Sequence, residues 1–334
     1  MKLPPRTFKA LRMAGQIVLF GVIAWFIFQS LAKGIAQSNL AALHFDWRWL
    51  AASWVLLLAY YGTYTFGMNM VMKSLGSPST YFRAFKLNFA TNPGKYVPPG
   101  VIWPAIGRAT LAPTLGLSRV NAVVSLALEA GLSTAAGLIV FILSLGFGGR
   151  LVPGTQPWEW ALAAAILVVC LHPAIFSRAL RIVFKVIRIK DTPPRLGYGV
   201  TVRLVALYAV SWLVAGAAFW CFTLALVAHT NGNLLTFAGT YAIAVVAGMI
   251  IPGAPAGLGE REAVLTLLMI PFVGPGVAVI VAFAARVWFT ILELALSGTA
   301  IAMPKPVLEE AETKAADDEA SPLIPPEPAS SLNP

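Results

Sequence analysis

Six stretches of the sequence, residues 14–32, 49–72, 120–147, 158–176, 200–228 and 276–303, are each about twenty residues or longer and hold at most two Asp, Glu, Lys or Arg. A helix rises about 1.5 Å per residue, so about 20 mostly apolar residues cross the hydrocarbon core of a bilayer. Only a membrane offers a solvent for six such segments in one chain. A mean hydropathy of +0.77 and a charged fraction of 11% exclude the water-soluble globular class. The fold class is an all-α integral membrane protein. Lys2, Arg6, Lys9 and Arg12 precede the first stretch in the manner of a signal peptide. That stretch exceeds a usual signal core and holds Trp25 and three Phe, so it reads as a retained helix.

Charge divides the chain in two. Residues 1–303 carry 22 Lys and Arg against 7 Asp and Glu, whereas residues 304–334 carry 2 against 7. The first part reads as one polytopic membrane domain, and the Pro-rich acidic tail as a disordered cytoplasmic end. Basic residues concentrate in short cytoplasmic loops. The N-terminus has four, the loop around Lys73, Arg83 and Lys86 three, and the stretch from Arg178 to Arg203 seven. The segments around residues 33–48, 148–157 and 229–234 have two, one and none, so they face outward. Both termini are then expected inside a bacterial inner membrane. Bases confined to short loops leave no soluble surface for a nucleic acid.

Cys170 and Cys221 lie far apart in separate apolar stretches, and His44, His172 and His229 are scattered singly. No metal, disulfide or cofactor motif follows, and a GxxxxGK[ST] phosphate loop is absent from the sequence. Met and aromatic residues within the spans read as packing or lipid-facing groups.

Two further segments are apolar but broken. The first, FKLNFATNPGKYVPPGVIWPAIGR from Phe85 to Arg108, contains Pro93, Gly94, Pro98, Pro99, Gly100 and Pro104, which interrupt any helix. The second, from Leu235 to Phe272, contains Pro252, Gly253, Pro255, Gly257 and Gly259, with a new helix expected near Glu260. Six spans agree with the loop charges if each broken segment enters and leaves by one side. The chain then repeats itself with opposite orientation: two spans, a hairpin and a span, twice over. Inverted repeats with discontinuous helices characterise alternating-access transporters. The alternative makes each segment one complete kinked span, for eight crossings in all.

Charges in these elements are the candidate functional residues. Lys95 and Arg108 flank the first break, Glu260, Arg261 and Glu262 follow the second, Glu129 lies in the third span, and Arg286 and Glu293 lie in the last. An ionised group at the bilayer centre costs about 2.5–3.5 kcal/mol even on lenient scales, so such groups face inward and pair. Arg286 and Glu293, seven residues apart, share a helix face. Guanidinium groups and helix starts together suit a phosphate, which makes Lys95, Arg108, Arg261 and Arg286 headgroup-binding candidates. Glu129, Glu260, Glu262 and Glu293 are their charge partners or coupling groups, with Glu262 and Glu293 orienting the arginines. For Glu129 and Glu293, a purely structural ion pair is an equal reading.

KYVPPGVIWPAIGR (Lys95 to Arg108), Glu129 in the following span, and PAGLGEREAVL (Pro255 to Leu265) resemble the lysylphosphatidylglycerol synthase transmembrane family, also described as flippase-like. The second block, similar to the family's Pro-x-Gly-Leu-Gly-x-Arg-Glu box, is the more specific; Pro99 stands where the family tends to have Gly. The resemblance covers most of residues 10–303. It implies movement of a phospholipid or lipid-linked sugar between leaflets. Fused members add a cytoplasmic synthase domain, for which the residues after Met303 leave no room, so the chain is expected to be a stand-alone member that uses no cofactor. A separate synthase or glycosyltransferase is then a possible supplier of substrate. Two other classes remain open: a membrane glycosyltransferase or lipid-modifying enzyme, which needs an acidic residue in a watery loop, and a non-transporting subunit of an envelope-biosynthesis complex.

Overall fold

The computed structural model describes residues 43–97, 102–147, 158, 196–250, 257 and 259–304. Among these are eight α-helices: α1 (Trp47–Ser74), α2 (Tyr81–Thr91), α3 (Ile102–Leu111), α4 (Arg119–Phe147), α5 (Tyr198–Leu226), α6 (Leu234–Ile250), α7 (Glu260–Val273) and α8 (Pro275–Ala302). Three of them, α4, α5 and α8, are long and apolar enough to cross a membrane, and α6 is a shorter apolar helix. They coincide within two residues at each end with the spans expected at 120–147, 200–228 and 276–303. The stretch 14–32 and, Trp158 apart, the stretch 158–176 lie outside the described residues.

Helix α1 is as long as the three spans but less apolar, because Tyr60, Tyr61, Thr63, Tyr64, Thr65 and Asn69 occupy its middle. Its buried residues Ser53, Leu57, Tyr61, Thr65, Met68 and Met72 recur every three or four positions, forming one stripe. Beside the stripe, Tyr60, Thr63 and Tyr64 meet α5, whose buried Leu204, Tyr208, Trp212, Ala215 and Phe219 recur in the same way. Lipid tails are as apolar as leucine, so packing and hydrogen bonds hold such helices together. Thr65 donates back to the Tyr61 carbonyl at 2.7 Å and Thr223 to the Phe219 carbonyl at 3.0 Å, which satisfies their buried hydroxyls locally.

Helices α1 and α5 are antiparallel. The backbone N–H groups of His44 and Asp46 donate to the carbonyls of Leu226 (2.9 Å) and Ala225 (3.0 Å), tying the start of α1 to the end of α5. The segments expected to face outward before α1 and after α5 therefore share one end of the bundle.

The first broken segment interrupts its helix at Pro93 and Gly94, whereas Pro104, expected to break it too, lies in the first turn of α3, where its missing N–H costs no helix bond. Helix α2 stops at Thr91, and a tight 3-10 turn, Asn92–Tyr96, carries Pro93 at its second position. Helix α3 then starts at Ile102; Pro98, Pro99 and Gly100 lie outside the described residues. In the second segment Pro252, Gly253 and Pro255 likewise lie outside them. Gly257 and Gly259 have φ of 66° and 98°, values that residues with a Cβ rarely adopt. Helix α7 begins directly after, at Glu260.

The chain on either side of each broken segment comes together. Asn121, at the start of α4, donates to the Leu75 carbonyl at 2.9 Å and to Ser77 Oγ at 3.0 Å, joining the two flanks of the α2–α3 segment. Thr230 Oγ1 donates to the Phe272 carbonyl at 3.5 Å, joining the flanks of the α6–α7 segment. Helix α4 packs on α6, and α8 packs on α2, so the span after each broken segment lies against the first limb of the other.

Candidate functional site

The first charge group forms around Glu293. Its side chain is 5% exposed on the inner face of α8. The 3-10 turn nearly eclipses residues three apart, so Asn92 and Lys95 project together, and both donate to Glu293 Oε1. Tyr96 donates to Glu293 Oε2 at 2.7 Å and lies 3.5 Å from Thr290 Oγ1. One carboxylate thus holds the break of the first segment against the last span, nearly two hundred residues away.

The second group forms at the start of α7. Glu262 turns back so that its Oε2 accepts from the Gly259 N–H at 2.7 Å, a carboxylate cap where the helix dipole favours an anion. Its other oxygen lies 3.6 Å from Arg286 Nη1 on α8, an ion pair too long for a hydrogen bond. The Arg261 guanidinium stacks over the Tyr241 ring (4.8 Å) and the Phe289 ring (5.2 Å) and donates to the Tyr241 hydroxyl. Those two rings stack at 4.9 Å. Arg286 lies 5.8 Å from the Tyr96 ring, which connects the two groups.

Lys95 and Glu293 adjoin Arg286 through the Tyr96 ring, and Arg286 faces Glu262, the residue after Arg261. Among the described residues, the groups paired or facing one another in this cluster are three cations and two anions. Such an excess suits one further negative charge, delivered to the planar donors of the guanidinium groups. Arg261 makes no ion pair among the described residues. Glu260, the residue before Arg261, has a buried Oε2 with no hydrogen bond among the described residues.

Arg108 and Glu129 lie in a second, sealed location with side chains 2% and 1% exposed. Arg108 Nη1 donates to Glu129 Oε1 at 2.8 Å and to Ser125 Oγ at 2.9 Å; Nη2 donates to Glu129 Oε2 at 3.1 Å and to Asn88 Oδ1 at 3.0 Å. The four terminal N–H groups are thereby used within the protein, joining α2, α3 and α4. Between this pair and the cluster, Tyr60 and Tyr64 of α1 form a ladder of aromatic contacts from Tyr208 to Phe289.

The structure therefore brings Lys95, Arg261, Glu262, Arg286 and Glu293 together and holds Arg108 and Glu129 in a separate pair. Glu262 faces Arg286, whereas Glu293, expected to orient an arginine, is held by Lys95, Asn92 and Tyr96. Sequence alone does not single out Asn92, Tyr96, Tyr241 or Phe289. The Asn92–Lys95 spacing next to Pro93 was the available signal for the first of them.

Comparison with curated proteins gives no match. The family model described as lysylphosphatidylglycerol synthase TM region matches residues 13–297, most of the chain. With three membrane-length helices and this match, the chain is a multi-pass membrane protein that belongs to the lysylphosphatidylglycerol synthase TM family.

Proposed function

We propose that this protein moves a lipid with an anionic headgroup, a phospholipid or a lipid-linked sugar, between the leaflets of the inner membrane. The observation that carries the reading is the cluster of Lys95, Arg261 and Arg286 around the buried carboxylates of Glu262 and Glu293, where both broken segments meet α8 with one cation in excess among the described residues. The headgroup crosses there, exchanging water for guanidinium donors, while its hydrocarbon stays in lipid. Arg108 and Glu129 lock the first segment to α4.

The packing supports an inverted repeat with the two broken segments as hairpins. Antiparallel α1 and α5 are equivalents in that scheme, and the contact of α4 with α6 is matched by that of α8 with α2. In each half an ion pair joins the second limb to the next span, with the signs exchanged: Arg108 to Glu129, then Glu262 to Arg286. Discontinuous helices at a central site are the architecture of alternating access. Irregular backbone at membrane depth needs protein or a wet cavity around it, and the cluster supplies polar partners.

The test is headgroup accessibility in vesicles containing the purified protein. Arg261→Ala and Arg286→Ala are expected to stop lipid movement in protein that still inserts and folds.

A further inference from the structure

Between the two limbs of the first broken segment lies a groove of about 440 Å³. Its floor consists of Ala90, Thr91, Gly94 and Gly107, and Val97, Trp103 and Ile106 form its rim. The groove exists because the side chains of its floor are small or absent. A Cβ at Gly94 would meet Trp103 Cβ at 2.9 Å, and one at Gly107 would meet Thr91 Cγ2 at 3.0 Å, so the limbs approach as closely as glycine permits. Thr91 shows the groove its methyl group, because its hydroxyl donates to the Leu87 (2.8 Å) and Asn88 (3.2 Å) carbonyls. The rim is open, with Val97 50%, Trp103 44% and Ile106 46% exposed. In a membrane protein such an apolar, open groove meets hydrocarbon.

Its place in the chain distinguishes it from the rest of the lipid-facing surface. One short turn serves both: Gly94 and Val97 line the groove, whereas Lys95 and Tyr96 between them turn to Glu293. Consecutive Cα atoms are about 3.8 Å apart. The groove and the charged cluster are therefore two sides of one turn, separated by the thickness of a backbone.

We infer that this groove holds a hydrocarbon chain of the lipid whose headgroup occupies the Lys95–Arg261–Arg286 cluster. It is the apolar half of one site, and it rests on the translocation reading above. A chain seated there keeps the glycerol end of the lipid at the turn while the phosphate reaches the arginines. Small floor residues are then required for chain depth as well as for close packing of the limbs.

Photo-crosslinking tests this with the full chain in phosphatidylcholine vesicles. Trace phosphatidylglycerol with a diazirine on one acyl chain is compared with phosphatidylcholine bearing the same chain, and the labelled residues are located by mass spectrometry. Ile291 (52% exposed) and Leu294 (49% exposed) on α8 serve as equally open controls. The anionic probe is expected to label Val97, Trp103 and Ile106 severalfold over the controls, and the zwitterionic probe to label both sets alike. In Ala90→Phe, which fills the floor, the groove excess should vanish while control labelling persists. Equal distribution of both probes in the wild-type protein overturns the proposal, even if Arg261→Ala and Arg286→Ala stop lipid movement. Headgroup-selective groove labelling upholds it, even if those variants still move lipid and the translocation reading fails.

Discussion

Lys95, in the turn that follows α2, and Glu293, on α8, form an ion pair across the interface of the first broken segment and the last span. Its two members differ in surroundings: Lys95 is 34% exposed and Glu293 5%. That difference sets the sign of a first prediction. Lys95→Ala leaves a buried carboxylate with Asn92 and Tyr96 as its donors, whereas Glu293→Gln leaves a lysine able to reach a more polar surrounding. Lys95→Ala should therefore lower the thermal midpoint more than Glu293→Gln. Both losses should fall below the about 3–5 kcal/mol typical of a sealed pair. Thermal unfolding of the two variants in the same detergent checks the order.

The Arg108–Glu129 pair should behave as a structural lock. Removing Arg108 alone leaves Glu129 uncompensated in a site closed to water, at a cost of about 3–5 kcal/mol. Replacing both, as Arg108→Met with Glu129→Leu, should recover most of that stability and retain lipid movement. Thermal midpoints and transport of the single and double variants test this. A stable double variant that moves no lipid would assign the pair to the headgroup path.

Much of this organisation is legible in the sequence, for a simple reason: apolar length and Pro/Gly breaks are local properties. The spans at α4, α5 and α8 and the new helix at Glu260 follow from them within two residues. Choice of partner is not local. The seven-residue spacing of Arg286 and Glu293 puts both on one face of α8, yet says nothing about which distant element faces each. Glu293 receives donors from a turn nearly two hundred residues earlier, and Arg286 faces a helix start. Tyr241 and Phe289 are apolar-segment aromatics like many others until the guanidinium of Arg261 is seen against them. Arg108 is a basic residue by a broken helix, as Lys95 is; only the bidentate geometry with Glu129 separates their roles.

Hairpins and complete spans predict different labelling. Pro78 and Ser118 flank the first broken segment, Asn231 and Pro275 flank the second, and all four are exposed. Single cysteines at these positions, in a chain lacking Cys170 and Cys221, should react with an impermeant maleimide as two pairs. Pro78→Cys and Ser118→Cys should label from the cytoplasmic side, and Asn231→Cys and Pro275→Cys from the outer side. Members of one pair reacting from opposite sides would establish a complete span.

The acidic tail should be dispensable. Lys86 donates to the carbonyl of Met303, holding the end of α8 against α2, and a cation at a helix C-terminus satisfies carbonyls that lack partners. Stopping the chain after Lys305 keeps this contact, so insertion and lipid movement should persist. Lys86→Ala should instead loosen the end of α8 and raise protease sensitivity near Met303. Loss of transport in the truncated chain at normal protein levels would assign the tail a role.

The central claim is that Arg261 and Arg286 carry the headgroup, and it is tested by following phosphatidylglycerol in reconstituted vesicles. Impermeant periodate oxidises the headgroup diol only in the outer leaflet, so protein-driven movement exposes the inner pool. The wild-type protein should expose that pool, and Arg261→Ala and Arg286→Ala should leave it protected while their thermal midpoints show folded protein. Arg261→Lys and Arg286→Lys should recover little, because an ammonium lacks the planar fork that grips a phosphate and, in Arg261, lies against Tyr241 and Phe289. Exposure of the inner pool at the wild-type rate by a folded Arg286→Ala variant would contradict the account.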